Sequence, residues 1–109
     1  MNKYEIYQID LNDPSNIFGY AFRPYEALVL DGLSASKERY ALVYTFESED
    51  ALTLEDIYRI FNDRIFNVER PEDFKGHSLS VSDVVKMPDG YWYCDSFGWV
   101  RLKEWEDAD

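Results

Sequence analysis

Apolar and polar residues alternate with period two in the segment Tyr40-Ala41-Leu42-Val43-Tyr44-Thr45-Phe46, where Tyr40, Leu42, Tyr44 and Phe46 share one face, and this predicts a half-buried strand. Residues 4–9, Tyr-Glu-Ile-Tyr-Gln-Ile, also read as a strand, with Tyr7, Ile9 and Leu11 on one side. Helical spacing appears in two places. Pro24 suits a first helical position, Tyr25, Leu28 and Val29 follow on one face, and Gly32 can take the left-handed conformation after the last turn, which predicts a helix over 24–31. Thr53 is a cap for a second helix over 54–62, whose stripe is Leu54, Ile57, Tyr58 and Phe61 and whose first turn carries Glu55 and Asp56 against the positive end of the helix dipole.

Between these elements, Asn12-Asp13-Pro14-Ser15-Asn16 reads as a turn cluster. Residues 62–76 show no period and are expected to be a long loop. Residues 79–87 and 91–95 flank Pro88-Asp89-Gly90, the composition of a hairpin, and a last strand is expected over 99–103. The order βαβαβββ implies an α+β fold: an antiparallel or mixed sheet of four to five strands with two short helices on one face. The 109-residue length fits one domain, expected to cover 1–103, with an acidic tail over 104–109.

Composition adds constraints on what the chain does. With 46% hydrophobic and 17% aromatic residues, the chain can bury enough surface to offset its ordering entropy. Cys94 is the single cysteine, so no intrachain disulfide and no paired-cysteine zinc site can form, and a reducing, cytoplasmic setting is expected. No basic-then-apolar leader and no apolar run near ~20 residues is present, so neither secretion nor membrane insertion is expected. The 22 acidic and 11 basic residues give a formal net charge of -11. Such a field repels nucleic acid and anionic lipid and attracts basic protein surfaces.

The acids are unevenly spread. No lysine or arginine occurs from Tyr40 to Tyr58, a stretch holding Glu47, Glu49, Asp50, Glu55 and Asp56, and the tail carries Glu104, Glu106, Asp107 and Asp109. These are candidate partner-binding carboxylates, against the plainer reading of a solvated loop, a helix start and a frayed end. Tyr91, Trp92, Trp99 and Trp105 cluster near the carboxyl end and are candidates for an aromatic patch facing a partner or a second copy of the chain.

One stretch breaks its own pattern. Strict alternation through Leu79-Ser80-Val81-Ser82-Asp83-Val84-Val85 sets Asp83 among apolar neighbours, and a three-residue hairpin connection would pair Met87 with Tyr91, Val85 with Tyr93 and Asp83 with Asp95. Like charges directly opposite are unfavourable. A register slip, a turn at Ser82-Asp83, or two carboxylates sharing a proton or a cation would each resolve it. His77, the only histidine, offers a base to Cys94 or a nearby serine, but no motif joins them, and Cys94 beside Asp95 is expected to be an inert buried thiol. Glycine-rich nucleotide loops and zinc helices are absent from the sequence, so no cofactor and no metal site is expected.

Thr53-Leu54-Glu55-Asp56-Ile57-Tyr58, then Gly76-His77-Ser78-Leu79-Ser80-Val81-Ser82-Asp83-Val84-Val85, then Tyr93-Cys94-Asp95-Ser96-Phe97-Gly98-Trp99 resemble the YodL-like domain, as does the opening strand. The resemblance singles out His77, Ser78, Ser80, Ser82, Asp83 and Asp95 as motif residues without assigning them a role, and it supplies no catalytic residue. It implies an accessory protein of a phage or other mobile element. The expectation is a non-enzymatic stoichiometric inhibitor that binds a host protein, such as the basic nucleic-acid channel of a CRISPR or restriction effector, and not nucleic acid or membrane. The alternatives are a cytosolic interaction module working through its aromatic face, with a homodimer possible, or a hydrolase using Asp83, Asp95 and His77.

Overall fold

The computed structural model describes residues 1–62 and 70–107. Five antiparallel strands form one sheet: β1 (Asn2–Ile9), β2 (Tyr40–Ser48), β3 (Val84–Met87), β4 (Gly90–Cys94) and β5 (Trp99–Arg101), in the order β2-β1-β3-β4-β5. Four short helices accompany them: α1 (Pro14–Gly19), α2 (Tyr25–Leu30), α3 (Leu54–Phe61) and α4 (Lys103–Asp107). A 3-10 turn, Lys37–Arg39, leads into β2. The α+β class and the antiparallel sheet agree with expectation. So do α2 and α3, the latter held by a capping box in which Asp56 N donates to Thr53 Oγ1 (3.1 Å) and Thr53 N donates to Asp56 Oδ2 (2.9 Å).

The helices cover both faces of the sheet, not one. Tyr4, Ile6, Val85 and Met87 pack with Ile57 and Phe61 of α3, Phe74 and Leu79, while Tyr7, Val84, Tyr91 and Tyr93 pack with Leu28 of α2, Ala35, Leu102 and Trp105 of α4. Consecutive strand residues point to opposite faces. Apolar pairs such as Ile6-Tyr7 and Val84-Val85 therefore require cover on both sides, and those pairs stand side by side in the β1–β3 ladder.

Three local expectations are corrected. The turn cluster at 12–16 starts α1, because Asp13 caps it through Ser15 N (3.0 Å) and Pro14 takes the first helical position. The last strand stops at Arg101, and the start of the acidic tail is helix α4: Trp105 is 1% exposed and its indole donates to the Ala35 carbonyl (2.6 Å). The hairpin joining β3 to β4 has only Pro88 and Asp89 between its strands, since Gly90, at φ +148°, enters the ladder opposite Met87. Its register is therefore Val84 with Tyr93 and Val85 with Trp92, one residue from the expected pairing.

Candidate functional site

The register change removes Asp83 from the ladder opposite Asp95. Ser82 N donates to the Cys94 carbonyl (2.9 Å) and Cys94 N to the Asp83 carbonyl (2.8 Å), so two residues oppose one, as in a β-bulge. Ser82 adopts φ +84°, a left-handed conformation unusual for a residue with a side chain, Val81-Ser82 is a turn closed by Asp83 N donating to the Ser80 carbonyl (3.0 Å), and the strand starts only at Val84. Both the slip and the turn anticipated from the pattern occur here.

The bulge turns Asp83 into the interior, where it is 1% exposed. Its Oδ2 accepts from Ser80 N (2.8 Å) and Gln8 Nε2 (3.1 Å). Gln8 also pairs with both backbone groups of His77, accepting from its N–H at Oε1 (3.1 Å) and donating to its carbonyl (2.8 Å). Asp83 Oδ1 has no hydrogen-bond partner, and His77 Nε2 faces it at 3.7 Å. Desolvation pushes the Asp83 carboxyl well above the ordinary range, outweighing the opposing Ser80 and Gln8 bonds.

The motif serines have local roles. Ser80 Oγ donates to the Ser78 carbonyl (2.7 Å), and Ser82 Oγ accepts from Phe22 N (2.9 Å). His77 contacts Gln8, the Ser78 carbonyl at Nδ1 (2.7 Å), Asp83 and the Phe22 ring, while the Cys94 sulfur lies 4.0 Å from the Asp95 carbonyl oxygen. Burial, with Asp83 and Asp95 nearby, pushes the Cys94 thiol up to about 12. Asp95 Oδ1 accepts from Ser96 N (2.8 Å) and Tyr25 N (3.1 Å), fastening the β4–β5 turn to the start of α2. Among the described residues, no three His, Cys, Asp or Glu side chains group closely enough to hold a metal ion.

The three stretches that carry the resemblance meet at a surface groove of about 340 Å³. It is lined by Glu55 and Tyr58 of α3, by Val81, and by Cys94, Asp95, Ser96, Gly98 and Trp99 at the β4–β5 end. The β4–β5 turn is closed by Asp95 N donating to the Gly98 carbonyl (3.0 Å), with Gly98 at φ +81°. Between Ser96 and Gly98 at the lip stands Phe97, 98% exposed.

The expected acidic residues fall on two surfaces. Glu47, Glu49, Asp50 and Glu55 are exposed where β2 leads into α3, and Asp56 is partly covered, its carboxyl held below the usual range by its bonds to Thr53 and by Arg59. Glu104 is exposed and Glu106 is bridged to Arg101 (2.8 Å) on α4, which packs on the opposite face of the sheet from α3. The side chain of Asp107, residues 108 and 109, and residues 63–69 of the expected long loop lie outside the described set.

The aromatic patch is corrected. Tyr91 and Trp105 are core residues; Trp92 is half-buried under Arg101, its indole donating to Asp89 Oδ1 (3.1 Å), and Trp99 is half-buried in the groove wall. Among the described residues the exposed aromatics are instead Phe18, Phe22 and Phe97. Their only signal was position: large apolar residues in short helices or turns, outside any period.

A family model described as the YodL-like domain matches residues 3–105. Comparisons with curated proteins and with solved structures gave no match. The matched span starts within β1 and ends at Trp105 of α4, so it takes in every strand, both cores and the groove, and the chain belongs to the YodL-like domain family.

Proposed function

We propose that this domain is a non-catalytic, protein-binding accessory protein of a phage or mobile element, acting in the cytoplasm of a bacterial host. Its partner under this reading is a nucleic-acid-targeting defence protein, a CRISPR or restriction effector, whose basic channel it occupies with carboxylates in place of phosphates. The observation that carries the reading is the exposed acidic corner of Glu47, Glu49, Asp50 and Glu55, in a stretch without lysine or arginine, on a chain of net charge -11. Lys3 stands across the ladder from Glu47, so Glu49, Asp50 and Glu55 are the least compensated. The inert thiol and the structural use of the motif serines support a binding role over a chemical one.

Capture of the effector from a bacterial lysate at low and high salt tests this. Binding should weaken steeply with ionic strength and be lost on reversing Glu47, Glu49 and Asp50 to lysine. A complex indifferent to both removes the mimicry. A second reading, an interaction module in which acidity is incidental, is favoured by the exposure of Phe97 at the groove lip. It predicts binding that survives the charge reversals and is lost in Phe97→Ala.

A further inference from the structure

The groove between α3 and the β4–β5 turn has a composition that selects its ligand. Its two charged lining groups among the described residues, Glu55 and Asp95, are both carboxylates, and no described lysine or arginine lines it. Tyr58 and Trp99 supply aromatic surface, and Val81 and the Cys94 thiol, which does not ionise near neutrality, supply apolar surface. An anion is repelled by both carboxylates. An apolar group would strip water from them without compensation. A positively charged group is attracted by the carboxylates and by the negative faces of the rings together.

We propose that this groove is a binding site for a single arginine side chain of a partner protein. Arginine fits better than lysine because its guanidinium is planar, stacks on aromatic faces and bonds carboxylates through two N–H groups at once. Asp95 has capacity for it: Oδ1 already accepts two backbone N–H bonds, and a carboxylate offers about four lone-pair sites. These bonds also fix the carboxylate in place before any ligand arrives, which lowers the ordering cost of binding. The volume of about 340 Å³ is at the small end for ligand pockets, suited to one side chain and not to an extended molecule.

The site takes its biological ligand, a partner protein, from the reading above, but its test needs no partner, so either can fail without the other. The ¹⁵N-labelled full chain is titrated with acetyl-Gly-Arg-Gly-amide and with the same peptide carrying citrulline, a neutral isostere. The arginine peptide should shift the Trp99 indole and the Ser96 and Gly98 amides saturably, with a dissociation constant on the order of millimolar, and leave the Trp105 indole unmoved. Citrulline should bind about tenfold more weakly. Glu55→Gln spares the Thr53–Asp56 capping box and Asp95→Asn keeps the Oδ1 acceptor, so both variants retain the fold; each should weaken arginine binding by about threefold or more. Equal response to citrulline, unchanged binding in both variants, or shifts confined to other surfaces would overturn the assignment. So would spermidine displacing the arginine peptide from these resonances at equal concentration, which gives the pocket to small polyamines.

Discussion

Replacing Asp83 by asparagine should stabilise the protein, and should do so more as the pH rises. The carboxyl is buried, its Oδ1 lacks a partner, and its folded-state titration is raised well above the ordinary range by desolvation. In the unfolded chain it titrates near 3.9, so between about pH 4 and its folded value the native state holds a proton that the unfolded state has released. Stability from this group is complete below about pH 4, is lost across that interval at roughly 1.4 kcal/mol per pH unit, and is flat above it. Asparagine removes the titration. Its Oδ1 can take the place of Asp83 Oδ2 and accept from Ser80 N and Gln8 Nε2, and its Nδ2 then faces His77 Nε2, which is an acceptor when Nδ1 carries the hydrogen shared with the Ser78 carbonyl. Filling one orphaned polar position is worth about 1–3 kcal/mol.

The assay is urea unfolding of wild type and Asp83→Asn from pH 4 to pH 9, read as a difference. Subtraction matters because Asp13, Asp56 and Glu106, whose carboxyls are held low by their hydrogen bonds, lose stability in the opposite direction, as the pH falls. The asparagine variant should match wild type near pH 4 and exceed it progressively above. Asp83→Ala abandons two donors and should cost about 2–5 kcal/mol throughout. Parallel pH profiles for wild type and Asp83→Asn, or an asparagine variant as unstable as the alanine one, would refute the reasoning.

Trp105→Ala should cost about 3–5 kcal/mol in denaturant unfolding, since the ring is fully buried and its N–H is bonded, whereas the adjacent exposed Glu104→Gln should change stability by less than about 0.5 kcal/mol. Gly76→Ala should destabilise by about 1–3 kcal/mol, measured the same way, because a Cβ there would lie 2.5 Å from Gln8 Oε1 and 2.9 Å from the Phe74 ring, displacing the amide that holds His77 and Asp83. Cys94 should react with iodoacetamide at pH 8 only through unfolding, with labelling rates that rise with urea, because the thiol is buried and its pKa is pushed up to about 12.

What could be read from the sequence tracks how much of each element is specified locally. Helix α3 announces itself through its stripe and a cap whose partners are three residues apart, and β1 and β2 through aromatic and branched residues; the alternation read along β2 does not hold, because a register shift at Val43 sends Tyr40 to one core and Tyr44 and Phe46 to the other. Helices α1 and α4 have six and five residues, too few for a stripe to show, although Asp13-Pro14 is a legible start signal in retrospect. The anomaly at Asp83 was visible as a broken alternation. A slip and a turn were both among the resolutions it suggested, but that they occur together was not legible, since it depends on Ser82 taking a left-handed conformation that nothing in its side chain demands. Glu55, Asp95 and Trp99 were each singled out for separate reasons, but their convergence follows from α3 crossing a sheet whose strand order is not that of the chain.

The covering of both sheet faces restricts where recognition can occur. With Ile6 and Val85 committed to one core and Tyr7 and Val84 to the other, the central strands offer no open face to a partner, so contact must fall on edges, ends and the outer sides of helices. Glu55 is the residue common to the two candidate surfaces: it belongs to the acidic corner that follows β2 and it lines the groove. A basic segment running along the first turn of α3 would meet Glu49 and Asp50 through screened, long-range attraction and Asp95 and Trp99 through contact. These contributions separate by kinetics, because rim charges act mainly on association rate while a side chain seated in a groove acts on dissociation. Under the proposed function, reversing Glu49 and Asp50 should slow association, Trp99→Leu should speed dissociation, and Glu55→Gln should do both. A Glu55→Gln effect confined to one rate constant would mean that the two surfaces serve different partners.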